Sequence, residues 1–207
     1  MTPHRRSLYF NSSAQSCPGK EFSFSQSIEA FHTQIKHYQP SPLVPLPGVA
    51  KDIGVKAVYA KNETNRLGLP AVNILGVSWA IFRALTERMG LPEDTDIEIV
   101  KARLAEKPVT IFTAAEGNHG RAVAHTGSLL GTPVQIHAPA CTRAETIAVF
   151  HSENATVIQS SGDCDKALSE AQIASQENNG ILIQEEAIKG YHDIPHVSIC
   201  STSSQLP

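Results

Sequence analysis

The stretch of this chain best suited to chemistry is Thr113-Ala-Ala-Glu116-Gly117-Asn118-His119-Gly120-Arg121. It follows a short β-branched apolar run and leads into a segment of helical periodicity, which places its glycines at a strand-to-helix turn. Free backbone N–H groups and the positive end of a helix dipole converge at such a turn, making a site for an anion such as a carboxylate. Glu116 adds a carboxylate to this turn. His119 reads as a turn residue rather than an acid–base group, and in isolation Gly117 and Gly120 read as makers of a tight turn. An acidic pair, Glu185-Glu186, follows another apolar run and taken alone is a solvated loop.

The elements that position these residues follow from periodicity and punctuation. Strands are expected at Val55–Ala60, Val109–Thr113, Val134–Ala138, Ala155–Gln159 and Ile181–Gln184. Helices are expected near Ser27–His37, over Asn73–Met89 with Gly90 as a stop, through Leu130 with Gly131 as a stop, and over Asp163–Gln176. Two further helices open at the capping boxes Thr95-Asp-Ile-Glu98 and Thr142-Arg-Ala-Glu145, running to about Glu106 and His151. Strands alternating with helices predict an α/β fold with a doubly wound parallel sheet. No G-x-G-x-x-G follows any strand, which argues against a dinucleotide site. Residues 1–40 read as a poorly ordered arm, and the prolines at 40, 42, 45 and 47 mark an extended crossing segment.

Bulk composition narrows the classes of function. A net charge of −3 and 18% charged residues give no electrostatic case for nucleic acid or an anionic membrane surface. No apolar run approaches the roughly 20 residues that span a bilayer. The four cysteines, Cys17, Cys141, Cys164 and Cys200, are scattered without a C-x-x-C pair, which fits reduced thiols in a cytoplasmic protein. The nine histidines lack metal-ligand spacing, so no metal site is expected.

Three segments resemble the fold-type II pyridoxal-phosphate (PLP) enzymes, most closely their diaminopropionate ammonia-lyase branch. The first is Lys61-Asn-Glu63-Thr-Asn-Arg66-Leu-Gly68-Leu-Pro-Ala-Val-Asn73-Ile-Leu-Gly76, similar to the segment that carries the cofactor lysine. The second is the Thr113–Arg121 loop, similar to "Thr-Asp-Gly-Asn-His-Gly-Arg". The third, Ile183-Gln-Glu185-Glu-Ala-Ile-Lys-Gly-Tyr-His-Asp-Ile-Pro195, is similar to "Val-Gln-Asp-Thr-Ala-x-x-Gly-Tyr-x-x-Ile-Pro". Together they cover residues 41–195, and Ser41-Pro-Leu43 resembles the "(S/T)-P-L" opening that portion.

The resemblance implies the N-terminal portion of the fold-type II architecture, a small domain plus part of the large one. It implies PLP as cofactor and an ancestral α,β-elimination of ammonia from an amino acid. Asn118 would hydrogen-bond the cofactor ring hydroxyl, and the loop Gly117, Asn118, His119 and Gly120 would take the substrate carboxylate. Glu116 and Glu185 stand where the branch has aspartates; the one at 116 can act there as a base, and a base works only within about 3 Å of its proton, so the longer Glu116 shifts its carboxylate. Asn73 stands where the family has the lysine that ties down the cofactor, and a carboxamide cannot form an imine with an aldehyde. The expectation is a pseudoenzyme, catalytically impaired.

His196–Pro207 matches nothing in the family, and the glycine-rich loop expected to grip the cofactor phosphate has no counterpart, so the chain reads as truncated. Val197-Ser198 can be encoded as GTGAGT, which points to translated intron or a frameshift. Strand edges left without partners would favour a homodimer or an intact paralogue as partner. The alternative function is a non-catalytic module that binds a small amino acid or other carboxylate.

Overall fold

The computed structural model describes residues 26–36, 38–70, 73–186, 191 and 194. From the amino end these form α1 (Gln26–Gln34), β1 (Leu43–Pro45), α2 (Pro47–Ile53), β2 (Tyr59–Lys61), α3 (Asn73–Met89) and α4 (Ile97–Glu106). There follow β3 (Ile111–Ala114), α5 (Asn118–Leu130), β4 (Val134–Ala138), α6 (Ala144–Ser152), β5 (Thr156–Gln159), α7 (Cys164–Glu177) and β6 (Ile181–Leu182).

The main sheet has four parallel strands in the order β5-β4-β3-β6. The chain steps outward from β3 to β4 to β5, then returns through α7 to place β6 on the other side of β3. Right-handed crossovers put α5 and α6 on one face of the sheet and α7 on the other. The reversal between β3 and β6 is a topological switch point, and it opens a crevice at the carboxyl ends of those two strands. Ile111, Phe112 and Thr113 of β3 are all buried, as a central parallel strand covered on both faces requires.

Helix α3 is buried almost all round, because it lies between α5 and α1. Phe31 of α1 sits with its ring centre 5.6 Å from Trp79 and 4.4 Å from Phe82. The neighbouring His32 places Nε2 at 3.1 Å from the Leu75 carbonyl and 3.2 Å from Ser78 Oγ. Of the arm expected to be loose as far as residue 40, Gln26–Gln34 is a docked helix, and residues 1–25 lie outside the described residues. Ile28, Phe31 and Ile35 share one face and bury it.

Several other boundaries differ from expectation. The cap of α4 is Asp96, whose side chain accepts from Glu98 N–H at 2.8 Å, one residue after the expected Thr95. Helix α6 starts after Arg143 with no side-chain cap, so the expected box at Thr142 does not form. Pro47 opens α2 where an extended segment was expected, since proline's fixed φ suits the first turn of a helix. The Val55–Ala60 strand shrinks to Tyr59–Lys61, paired antiparallel with β1.

The β1–α2–β2 unit stands apart from the main sheet and leaves Leu43, Val44, Val49, Ile53, Val55 and Tyr59 exposed, Ile53 by 62% and Tyr59 by 60%. Among the described residues no helix is long and apolar enough to cross a membrane.

Candidate functional site

The crevice at the switch point is a cleft of about 480 Å³, lined by Asn73 at the start of α3, by the loop from Ala114 to His119, by Cys164 and Asp165 at the start of α7, and by Gln184–Glu186 after β6. The sequence-predicted residues Asn73, Glu116, Gly117, Asn118, His119 and Glu185 all meet there. Gly120 does not reach it. It lies under the first turn of α5, where a Cβ would approach Ala115 Cβ and Phe150 Cζ to 2.8 Å, so glycine is required for close packing rather than for a ligand.

Asn73 is the first residue of α3, and its amide Nδ2 donates to Glu185 Oε1. The same oxygen lies 3.4 Å from His119 Nδ1, in range for an ion pair but long for a hydrogen bond. His119 is itself buried, with Nε2 at 3.1 Å from Thr113 Oγ1 and 3.2 Å from the Ile183 carbonyl. The carbonyl can only accept, so Nε2–H donates to it. Nδ1 therefore completes a bond to Glu185 only when the ring carries a second proton. His119 thus ties the start of α5 to β3 and to the end of β6, which gives it a positioning role inside the fold.

The Glu185 carboxyl is held below the usual carboxylate range, chiefly by His119, with Asn73 adding to the effect against the opposing influence of burial. Tyr191 fixes the turn that carries Glu185: its hydroxyl donates to the Leu182 carbonyl at 3.1 Å and accepts from Gln184 N–H at 2.7 Å. Burial pushes that phenol well above its ordinary value.

On the opposite wall Glu116 is exposed, and its Oε2 accepts from Cys141 Sγ at 3.4 Å. Asn118, also exposed, occupies the first position of α5 after Gly117, which caps the helix without a side chain. The N–H groups of this first turn therefore face the cleft without an intrahelical acceptor.

The approach to Asn73 is braced by a buried arginine. Arg66, 2% exposed, donates to Glu63 through Nε at 2.6 Å and Nη2 at 2.9 Å. Arg66 and Leu69 also exchange backbone hydrogen bonds at 2.7 and 2.9 Å around the positive-φ pair Leu67 and Gly68. Burial alone would raise the Glu63 carboxyl, but Arg66, with help from Ser41 and Lys61, brings it below its usual value. The Lys61-x-Glu63…Arg66-x-Gly68 pattern is therefore structural, shaping the segment from Glu63 to Leu69.

Sequence reasoning missed Cys164, Asp165 and Gln184 as cleft residues. A signal was present: in a parallel sheet every strand's carboxyl end opens on the same edge, so residues just after β5 and β6 share that edge with the loop after β3.

The chain matches the model of the family described as "Pyridoxal-phosphate dependent enzyme" over residues 35–194. It belongs to that family. Diaminopropionate ammonia-lyase of Escherichia coli K12 is 33% identical over 177 residues, covering 84% of this chain and 44% of that protein. The Salmonella typhimurium protein of the same name is 29% identical, covering 81% and 43%. Among solved structures, the E. coli diaminopropionate ammonia lyase in apo form superposes with a TM-score of 0.81 at 29% identity, over 88% of this chain and 51% of that one. A tomato (Solanum lycopersicum) threonine deaminase, at a TM-score of 0.64 and 18% identity, shares the fold alone. The chain thus spans about half the length of the relatives it matches.

The family depends on pyridoxal phosphate, which tests the donor set. Among the described residues lining the cleft there is no lysine and no arginine, against the four carboxylates Glu116, Asp165, Glu185 and Glu186. Asn73 offers a carboxamide already engaged by Glu185. These residues do not fit a covalently held pyridoxal phosphate.

Proposed function

We propose that this chain is a diaminopropionate ammonia-lyase-like protein that has lost the elimination reaction while keeping the cleft in which it took place. One observation carries this reading: the side chain at position 73 faces the cleft and is an amide bonded to Glu185. Pyridoxal phosphate, where it is bound, supplies an electron sink for a carbanion next to nitrogen. Without an amine at position 73 the cleft lacks both the covalent anchor and the base that such a lysine provides.

The remaining residues still support binding of a small amino acid. The N–H groups at Gly117–His119 face the cleft from a helix start and suit a carboxylate, with Asn118 beside them. Glu116, Asp165 and Glu185 suit ammonium groups. Glu185, with Asn73 donating to one oxygen and His119 near it, is a weak proton acceptor. Purified protein with pyridoxal phosphate and 2,3-diaminopropionate should release no keto acid or ammonia above the cofactor-only background. Turnover clearly above that background would overturn the proposal.

A second reading is favoured by the exposed apolar residues of the β1–α2–β2 unit. Here the chain is a binding or regulatory partner of an intact paralogue or of a second copy of itself. Calorimetry with small amino acids and co-purification with the paralogue distinguish the two readings: binding without association supports the first alone.

A further inference from the structure

Two thiols lie close to Glu116: Cys164 lines the cleft, and Cys141 reaches it through its hydrogen bond to Glu116. Cys141 lies on the loop after β4, and Cys164 is the first residue of α7, on the loop after β5. Both are exposed. The two loops are pinned together, since Ala140 N–H donates to the Gly162 carbonyl at 2.8 Å, one residue before the first cysteine and two before the second. Both thiols also share an acidic neighbour: Cys141 Sγ donates to Glu116 Oε2 at 3.4 Å, and Cys164 lines the same cleft as Glu116. The reading proposed above rests on position 73 and its bond to Glu185, and uses neither thiol.

We propose that Cys141 and Cys164 form a dithiol modification site that a peroxide converts to a disulfide, bridging the two loops along one wall of the cleft. In the first step the Cys141 thiolate attacks a peroxide oxygen; the S–O bond forms, the O–O bond breaks, and a sulfenic acid and one water result. The Cys164 thiolate then attacks that sulfur and expels its oxygen as a second water. Two thiols lose two protons and two electrons, and hydrogen peroxide takes them up as two waters.

The bridge removes the S–H donor from Glu116 and anchors the 139–142 turn to the start of α7. The Glu116 hydrogen bond pushes the Cys141 thiol up, and burial together with the charge of Glu116 does the same to Cys164. Thiolate is the attacking form, so both are slow to react at neutral pH and the modification accelerates as pH rises. The site is one of induced oxidation rather than of constitutive pairing.

The test uses the full chain carrying Cys17→Ser and Cys200→Ser, so that only the two thiols remain. Hydrogen peroxide at mild alkaline pH should remove both titratable thiols, lower the mass by two hydrogens, and join the peptides containing Cys141 and Cys164. Phenylarsine oxide, which bridges neighbouring thiols without oxidation, should bind one per chain, and Cys141→Ser should abolish both results. Oxidation that ends as separate sulfenic or sulfinic acids, together with no bridging by the arsenical, would overturn the proposal.

Discussion

Gly120 offers a direct measure of how tightly the cleft loop is packed. A Cβ at this position would lie 2.8 Å from both Ala115 Cβ and Phe150 Cζ. That is about 0.7 Å inside the roughly 3.5 Å at which carbon contacts become favourable. Phe150 is fully buried, and Ala115 carries its Cβ directly on the backbone, so neither yields cheaply. Overpacking of this kind costs about 1–3 kcal/mol, and the helix regains roughly 0.5–1 kcal/mol from replacing glycine by alanine. Gly120→Ala should therefore destabilise the chain by about 1 kcal/mol, the two ranges spanning roughly 0 to 2.5, which for a chain of this size lowers Tm by about 2–4 °C.

Urea titration followed by circular dichroism reads the change directly. Gly117→Ala is the steric control, since nothing lies within 4 Å of a Cβ there, and should cost only what glycine gains over alanine at an N-cap, roughly 0.5–1 kcal/mol. Phe150→Leu in the Gly120→Ala background should recover part of the loss, because it removes one of the two obstacles; the two substitutions should couple by ~0.5 kcal/mol or more. If Gly120→Ala is as stable as the parent, α5 does not press on Ala115 and Phe150 as described. The placement of the Glu116–His119 loop would then fail with it.

Three further outcomes are expected. Burial holds His32 at about 4, below its ordinary value, so the unfolded chain binds the proton more readily. The stabilisation from neutral His32 is complete above the unfolded value near 6.5 and is lost as pH falls from there toward about 4, an effect of about 2–4 kcal/mol. His32→Gln should flatten stability measured across that window. Glu185, depressed mainly by His119, works at lower pH: its contribution is present above the unfolded carboxylate value of about 4.3 and fades as pH falls below it. Being nearly half exposed it should amount to no more than ~1 kcal/mol, and Glu185→Gln should remove that acid-side slope. Asp96→Ala should cost about 1 kcal/mol in a denaturation experiment because its side chain caps α4, whereas Arg143→Ala, at an N-cap with no side-chain bond, should cost little.

Much of the cleft was legible because its residues sit at the carboxyl ends of strands with clear apolar patterns. The Thr113–Arg121 stretch carries its own strand-to-helix punctuation, and the topology then fixes where it opens. Asn73 was legible only through the spacing of its segment, since an asparagine at a helix start has no chemical signature of its own. The α7 contribution of Cys164 and Asp165 carried no signal in residue type or spacing; only the parallel topology, which brings the loop after β5 to the same edge as the loop after β3, points to it. The cap of α4 was misplaced by a residue because two neighbours can both serve: Thr95 and Asp96 each carry an oxygen, and backbone geometry selected the aspartate. The helix α1 was expected, but its docking was not, because a short polar-flanked segment shows its Ile28, Phe31, Ile35 face only once Trp79 and Phe82 are there to receive it.

The central claim is that residue 73 occupies the point from which the family tethers its cofactor. The most direct measurement is borohydride reduction after one equivalent of pyridoxal phosphate, with peptide mapping, on the parent chain and on Asn73→Lys. The expected result is no selective adduct on the parent and a reduced adduct at position 73 in the variant. A stoichiometric adduct on the parent at another lysine, such as Lys61 or Lys189, or a variant that labels elsewhere while leaving position 73 untouched, would contradict the account.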